Sequence, residues 1–270
     1  MILKGASGSP DSQLYLPVDS VCRMHAPKKG IRHFFILIIM IRQWIRNMMG
    51  LVYPPLCASC GFQRPLDQHI FCLDCLHELP ETGYHQHAHN PFVGHFRGRI
   101  GVKAGAAFLF FSRGGGTQRL LHQIKYNNQA DLIITIGRWY GKQLMKSPLW
   151  DDVEVIVPVP LHWKKQRKRG YNQSAMFADG IAEVMGISSP KNVLRRITHN
   201  KSLTGMKRFQ RVETIGSSYV LANAKLIRHK HVMLVDDVLT TGSTLEACAL
   251  ALLEAPVASI SLVTIACGEL

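Results

Sequence analysis

The stretch from Val232 to Thr244 constrains this chain more than any other. It reads Val-Met-Leu-Val, then Asp236-Asp237, then Val-Leu, then Thr240-Thr241-Gly242-Ser243-Thr244, without a break. A continuous apolar run is what a strand buried on both faces requires. Small hydroxyl residues and one glycine at the mouth of the next helix let backbone N–H groups converge on a phosphate, and the helix N-terminus adds roughly half a positive charge. Two carboxylates just upstream would repel that phosphate. They are therefore expected to accept hydrogen bonds from neighbouring sugar hydroxyls or to approach a divalent cation. A phosphorylated ribose meets both demands. The plainer alternative is an acidic strand end followed by a helix capped by Ser243 or Thr244, but capping alone calls for neither the acid pair nor five consecutive small residues.

Around this segment strands and helices alternate. Helices are expected over Leu120 to Tyr126, Leu132 to Met145 and Asn172 to Met185, and a buried strand over Val153 to Val159. His231 to Val235, a turn, Ser243 to Leu253 and Ala258 to Ala266 read as one strand–helix–strand unit with a right-handed crossover. The class is α/β, with a mostly parallel central sheet and flanking helices. No internal repeat is visible. A P-loop nucleotidase is unsupported, since no Gly-x-x-x-x-Gly-Lys-Ser/Thr run exists. A receiver-like metal site would need a second acidic cluster at another strand end, and none is predicted.

Cys57-x2-Cys60 and Cys72-x2-Cys75 form two knuckles separated by 11 residues. Each puts two thiolates on one tight turn, so together they can clasp a tetrahedral ion, and four sulfur ligands select Zn²⁺. A closed thiolate shell has no open position, which makes the zinc structural in a small ribbon without a core of its own. Loss of the metal is expected to unfold that ribbon and leave the sugar-phosphate site largely intact. A redox dithiol is the alternative. His69, His77, His85, His87, His89 and His95 are expected to be mostly solvated loop residues.

Of 270 residues, 32 are Lys or Arg and 18 are Asp or Glu, giving a net charge of +14. Such an excess suits polyanionic partners: nucleic acid, a phosphorylated metabolite or anionic lipid. Most of it lies between Pro160 and Arg211, with 12 Lys and Arg against 2 Asp and Glu. Lys164, Lys165, Arg167, Lys168 and Arg169 alternate with or adjoin Trp163 and Tyr171, with Phe209 further on, as stacking on bases would require. A solvated basic face is the alternative.

Residues 1–39 read as a floppy leader or as a start placed too early, with Met40 as the true start. Ile36, Met40, Trp44, Met48 and Leu51 recur at helical spacing, for a helix packed on the body or, alternatively, lying on a membrane surface. The longest apolar run, Phe34 to Ile41, has 8 residues, short of the roughly 20 that span a bilayer. No transmembrane or secretory segment is predicted, and seven cysteines, an odd number, suit a reducing compartment, so the expected location is cytoplasmic. The expected division is leader and helix 1–50, four-cysteine module 51–83, linker 84–100 and α/β domain 101–270.

Val232 to Thr244 closely resembles the signature of type I phosphoribosyltransferases, which bind 5-phosphoribosyl-1-pyrophosphate with Mg²⁺. That resemblance implies that Asp236 and Asp237 take the ribose hydroxyls and the Mg²⁺ side, that Thr240, Thr241, Gly242, Ser243 and Thr244 hold the 5-phosphate, and that Val159, Pro160 and Leu161 form the pyrophosphate loop. A four-cysteine module ahead of such a domain is similar to the competence protein F (ComF/GntX) family. Leu56 to Gly61, Ile124-Lys125-Tyr126, Pro158 to Leu161 and Arg169 to Gln173 each resemble a family block, in order. The resemblance implies a role in DNA uptake during natural transformation, with phosphoribosyl transfer to an unknown acceptor. The alternative is a non-catalytic module that binds single-stranded DNA and keeps the phosphate-binding fold as a scaffold. The chain departs from the family where Ser202-Leu203-Thr204, Lys207, Arg208, Arg211 and Glu213-Thr214 stand, and no catalytic residue is assigned.

Overall fold

The computed structural model describes residues 56–63, 65, 70–126, 129–197 and 218–268. The expected leader, the amphipathic helix ending near Leu51 and the basic residues from Lys201 to Arg211 lie outside them. The elements are α1 (Leu73–His77), α2 (Pro91–Gly94), β1 (Gly105–Phe110), α3 (Gly116–Tyr126), α4 (Ala130–Leu144), β2 (Val155–Pro158) and α5 (Trp163–Arg169). These are followed by α6 (Gln173–Met185), β3 (Leu194–Arg196), β4 (Tyr219–Leu221), β5 (His231–Leu239), α7 (Ser243–Leu252) and β6 (Ser259–Cys267). One sheet, in the order β1–β6–β5–β2, is parallel throughout, and β3 pairs with β4 as a separate antiparallel ribbon.

The pleat of β5 explains why its apolar run has no polar break. Met233 and Val235 join a core with Tyr140 of α4 and Phe177 of α6, while Val232 and Leu234 join a second core with Leu245 and Leu252 of α7. Side chains alternate across a strand, so a strand covered by helices on both faces must be apolar at every position. On the first face α4 and α6 approach until only glycine fits. A Cβ on Gly137 would lie 2.4 Å from the Phe177 carbonyl oxygen, and one on Gly180 would lie 2.2 Å from that of Ile134.

Four departures from the sequence reading have physical causes. β5 does not turn after Val235 but runs on to Leu239, because β6 continues beside it and pairs Asp236 with Thr264 and Leu239 with Cys267. β1 was not anticipated. Its first residue, Gly105, leaves room for Phe92, whose Cδ1 would stand 2.7 Å from a Cβ there. α5 was not anticipated either, since its seven residues carry no apolar stripe. Residues 84–100, expected to connect two units, carry the fully buried Phe92 and Phe96 and the buried His85, whose carbonyl accepts a 2.9 Å hydrogen bond from Trp150 Nε1. Asn90 organises this stretch: Oδ1 caps α2 at Val93 N (3.0 Å) while Nδ2 donates to Gly105 O (2.9 Å). The cysteine module is similarly integrated, with Cys57, Ala58, Phe71 and Cys72 in the same core as Leu109, Leu120 and Leu121.

Candidate functional site

The chemistry-bearing residues gather at the carboxyl ends of β5 and β2, where open parallel sheets place their ligands. Asp236 lies within β5 and is 8% exposed. Its Oδ1 accepts hydrogen bonds from Ser174 Oγ of α6 (2.9 Å) and from the Asp237 backbone N–H (2.8 Å). Asp237 Oδ2 lies 3.4 Å from Lys125 Nζ, on the last turn of α3. Burial, and after it the charge of Asp237, lifts the Asp236 carboxyl to about 7. Its proton is therefore exchangeable near neutrality.

Beyond Leu239 the chain turns through the exposed Thr240 and Thr241 into Gly242, at φ 74°, and α7 starts at Ser243. Glycine is required here twice over. The backbone is left-handed, and a Cβ would stand 2.9 Å from Phe96 Cε1 and 3.1 Å from His95 Nε2. The Thr241 carbonyl, a group that would repel an anion, is engaged by His95 Nε2 (3.1 Å) and Arg99 Nη1 (3.2 Å). Arg99 is held in turn by Glu246 of α7, and the Thr241 and Ser243 hydroxyls lie 3.0 Å apart. His95, expected in solvent, thus braces the loop from behind.

Two cavities meet at the acid pair. The larger, about 660 Å³, is bounded by Thr240 and Thr244 and by the α3 residues Gln118, Leu121 and His122. The smaller, about 230 Å³, is bounded by Val159, Pro160 and Leu161 together with Lys165, Arg169 and Arg196. Lys125, Asp236, Asp237 and Thr244 border both. The segment Tyr171 to Ser174 ties the walls together. Tyr171 OH donates to Ile124 O (2.6 Å), holding the end of α3. Asn172 Nδ2 donates to Val159 O (2.9 Å), holding the loop after β2, and its Oδ1 caps α6 at Ser174 N (3.2 Å).

The structure therefore brings the acid pair, Thr240 and Thr244 together with Val159, Pro160 and Leu161, and places Thr241, Gly242 and Ser243 between them in the loop. The basic candidates divide by face. Lys165 and Arg169, four apart on α5, border the smaller cavity, whereas Lys164, Arg167 and Lys168 are exposed and border neither. Lys164 Nζ sits 5.5 Å from the ring centroid of Trp163, which stacks on His162. Sequence reasoning assigned no role to Lys125, Ser174, Arg196 or Tyr219. The i, i+4 spacing of Lys165 and Arg169 sets both on one face of α5.

At the other end of α3 the Sγ atoms of Cys57, Cys60, Cys72 and Cys75 all lie within 4.8 Å of one another. Tetrahedral zinc with Zn–S near 2.3 Å sets its sulfurs about 3.8 Å apart, and Cys60 Sγ is 3.9 Å from Cys72 Sγ. The four thiols are free of disulfides, with Cys57 and Cys72 buried. This donor set fits a closed metal site.

Residues 172–268 match the family model of the phosphoribosyl transferase domain. The chain carries that domain. The match begins at the Asn172 cap and takes in β5 with the acid pair, the loop from Thr240 to Thr244 and β6, while β1 and β2 lie ahead of it. Over 215 residues the chain is 25% identical to competence protein F of Haemophilus influenzae, covering 74% of this chain and 85% of that protein. It is 24% identical over 144 residues to DNA utilization protein YhgH of Salmonella typhimurium, covering 52% of this chain and 63% of that one. A hypoxanthine phosphoribosyltransferase from Staphylococcus aureus superposes with TM-score 0.30 and 22% identity over 50% of this chain and 62% of that one, too loosely to bear on substrate. Among the described residues no helix is long and apolar enough to cross a membrane.

Proposed function

We propose that the chain binds 5-phosphoribosyl-1-pyrophosphate in the paired cavities and acts, in the cytoplasm, in DNA uptake, as its likeness to competence protein F suggests. The observation that carries this is the meeting of three different anion- and sugar-type surfaces at one acid pair. Asp236 and Asp237 accept the ribose hydroxyls, the loop from Thr240 to Thr244 cradles the 5-phosphate, and Val159, Pro160 and Leu161 with Lys165 and Arg169 take the pyrophosphate. Mg²⁺, approached by Asp237 on the open side of the pair, would neutralise part of the pyrophosphate charge. In a transfer reaction the bond from ribose C1 to pyrophosphate oxygen breaks, a bond from C1 to an acceptor nitrogen forms, and that nitrogen loses its proton to water. Lys125, Lys165 and Arg169 then stabilise charge that grows on the leaving group, where preorganised cations contribute most. Cys57, Cys60, Cys72 and Cys75 hold a structural Zn²⁺.

A second reading rests on the outward face of α5. Trp163 is 56% exposed beside Lys164, Arg167 and Lys168, a stacking surface among cations suited to single-stranded DNA. Calorimetric titration of phosphoribosyl pyrophosphate, with and without Mg²⁺, tests the first reading. Asp236→Asn with Asp237→Asn is expected to abolish binding, and unchanged affinity rejects the assigned role. An acceptor screen for pyrophosphate release then separates transferase from binding module.

A further inference from the structure

The helix that forms one wall of the larger cavity starts on the cysteine knuckle. A Cβ on Gly116, the first residue of α3, would lie 2.1 Å from Ser59 Oγ, so α3 begins in direct contact with the loop between Cys57 and Cys60. One turn on, Arg119 donates from Nε to Ser59 O (2.6 Å) and from Nη1 to Gly114 O (3.2 Å). Ser59 is itself tied to the metal ligands, its N–H donating to Cys57 Sγ at 3.4 Å. From this footing Gln118, Leu121, His122 and Lys125 recur at i, i+3, i+4 and i+7, so they share one face of the helix, and all four border the cavity. The last of them faces Asp237.

We infer that the four-cysteine module positions the cavity wall through Arg119 and α3, so that metal in the module sets how tightly the cavity holds its ligand. α3 is held by polar contacts at both ends, Ser59 at its start, and Tyr171 OH at Ile124 O with the Lys125–Asp237 ion pair near its end. A segment as small as the cysteine module keeps its shape through its metal. Without the metal, Ser59 loses part of its frame, and the start of the helix rests on the buried Leu120, Leu121 and Ile124 while its far end keeps its contacts with Tyr171 and Asp237. Those contacts hold α3 against the body, but its first turn loses the support of the knuckle, and a shift there is passed along the helix to Lys125. The effect is a shift of the wall rather than a collapse, and it reverses the expectation that metal loss would leave the site intact. Arg119 is a positioning residue: it touches the knuckle, and it acts on the ligand only through Lys125.

The identity of the ligand rests on the proposed function; the coupling does not, and two measurements on the full zinc-loaded chain keep them apart. The first is hydrogen exchange before and after chelation. Exchange of the amides of residues 116–126 is expected to accelerate as far as Lys125 while β5 and β6 stay protected. Unchanged protection of α3 overturns the coupling whether or not phosphoribosyl pyrophosphate binds. The second is titration of that compound into Arg119→Ala, which is expected to retain zinc by elemental analysis yet bind about tenfold more weakly, within the range usual for coupled sites. Adding Arg119→Ala to Lys125→Ala should then cause no further loss. Wild-type affinity in Arg119→Ala, or full additivity with Lys125→Ala, refutes the route through α3. If chelation exposes β5 and β6 as well, the zinc-retaining Arg119→Ala decides alone. If wild type binds no phosphoribosyl pyrophosphate, the proposed function fails and the exchange measurement still judges the coupling. By linkage, the ligand must raise zinc retention against a chelator by the same factor.

Discussion

Ligand affinity should rise with pH across neutrality, because ionised Asp236 accepts a sugar hydroxyl more strongly than the protonated carboxyl does and its carboxyl is lifted to about 7. Several groups feel its charge: Asp237 beside it, Lys125 from α3, Tyr219 from β4 and Cys248 from α7. With a midpoint near 7, about one molecule in eleven is ionised at pH 6 and about ten in eleven at pH 8, so affinity falls about tenfold between them, or ~1.4 kcal/mol. Phosphate groups on the ligand also titrate near pH 6, so the decisive comparison is Ser174→Ala. Removing the hydroxyl that donates to Asp236 Oδ1 loses a bond to the charged form of about 1.5–3 kcal/mol, and the midpoint should move up by about one to two units. Calorimetry at pH 6, 7, 8 and 9, in buffers of different ionisation enthalpy, reads affinity and proton release together. Affinity that is flat once the ligand's own titration is subtracted, or a midpoint that moves down in Ser174→Ala, refutes the reasoning. Stability of the ligand-free protein runs the other way. A folded-state carboxyl lifted from 3.8 to about 7 contributes stability below about pH 4 that is lost as pH rises to about 7. Asp236→Asn should therefore melt higher than wild type at pH 8 and close to it at pH 4.

Three further outcomes are expected. Gly242→Ala should lower both the melting temperature and phosphoribosyl pyrophosphate affinity, since a left-handed alanine costs about 1–2 kcal/mol before its contact with Phe96 is counted; wild-type values for both would show that the loop needs no glycine. Cys60→Ser should fall well below one zinc per chain by elemental analysis, and a full complement would remove Cys60 from the ligand set. The triple change Lys164→Ala, Arg167→Ala, Lys168→Ala should weaken single-stranded DNA binding and flatten its log–log salt slope by about 2, from about 0.7 per phosphate contact, while phosphoribosyl pyrophosphate affinity holds. An unaltered slope would move the DNA surface off α5.

What was legible in the sequence was contiguous. Val232 to Thr244 announces itself because the ladder, the acid pair and the loop follow one another along the chain. The knuckles do so because two ligands share each turn. Lys125 and Ser174 reach the acid pair, and Arg196 the cavity beside it, from three other elements, and no local spacing records that. The extent of β5 was misjudged because acidic residues read as strand ends, whereas the ladder is set by β6, whose Ala266 and Cys267 offer partners past the acids. His95 and Phe96 sit among polar residues, and only their closeness to Gly242 shows that they support the loop. The glycine at the start of β1 carries no strand propensity of its own. Its place is decided by Phe92, which lies above it.

Among the described residues, the only strand partner of β1 in the main sheet is β6, and β5 also leans on β6 along its whole length. During synthesis the first strand of this sheet must therefore wait for the last. Until residues 259–267 have left the ribosome, β1 and the inner edge of β5 both present unpaired backbone, and a nascent chain in that condition is prone to aggregate and is a natural client for chaperones. A nonsense mutation just ahead of Ser259 would remove one strand, leave β1 without its ladder and leave β5 paired with β2 alone.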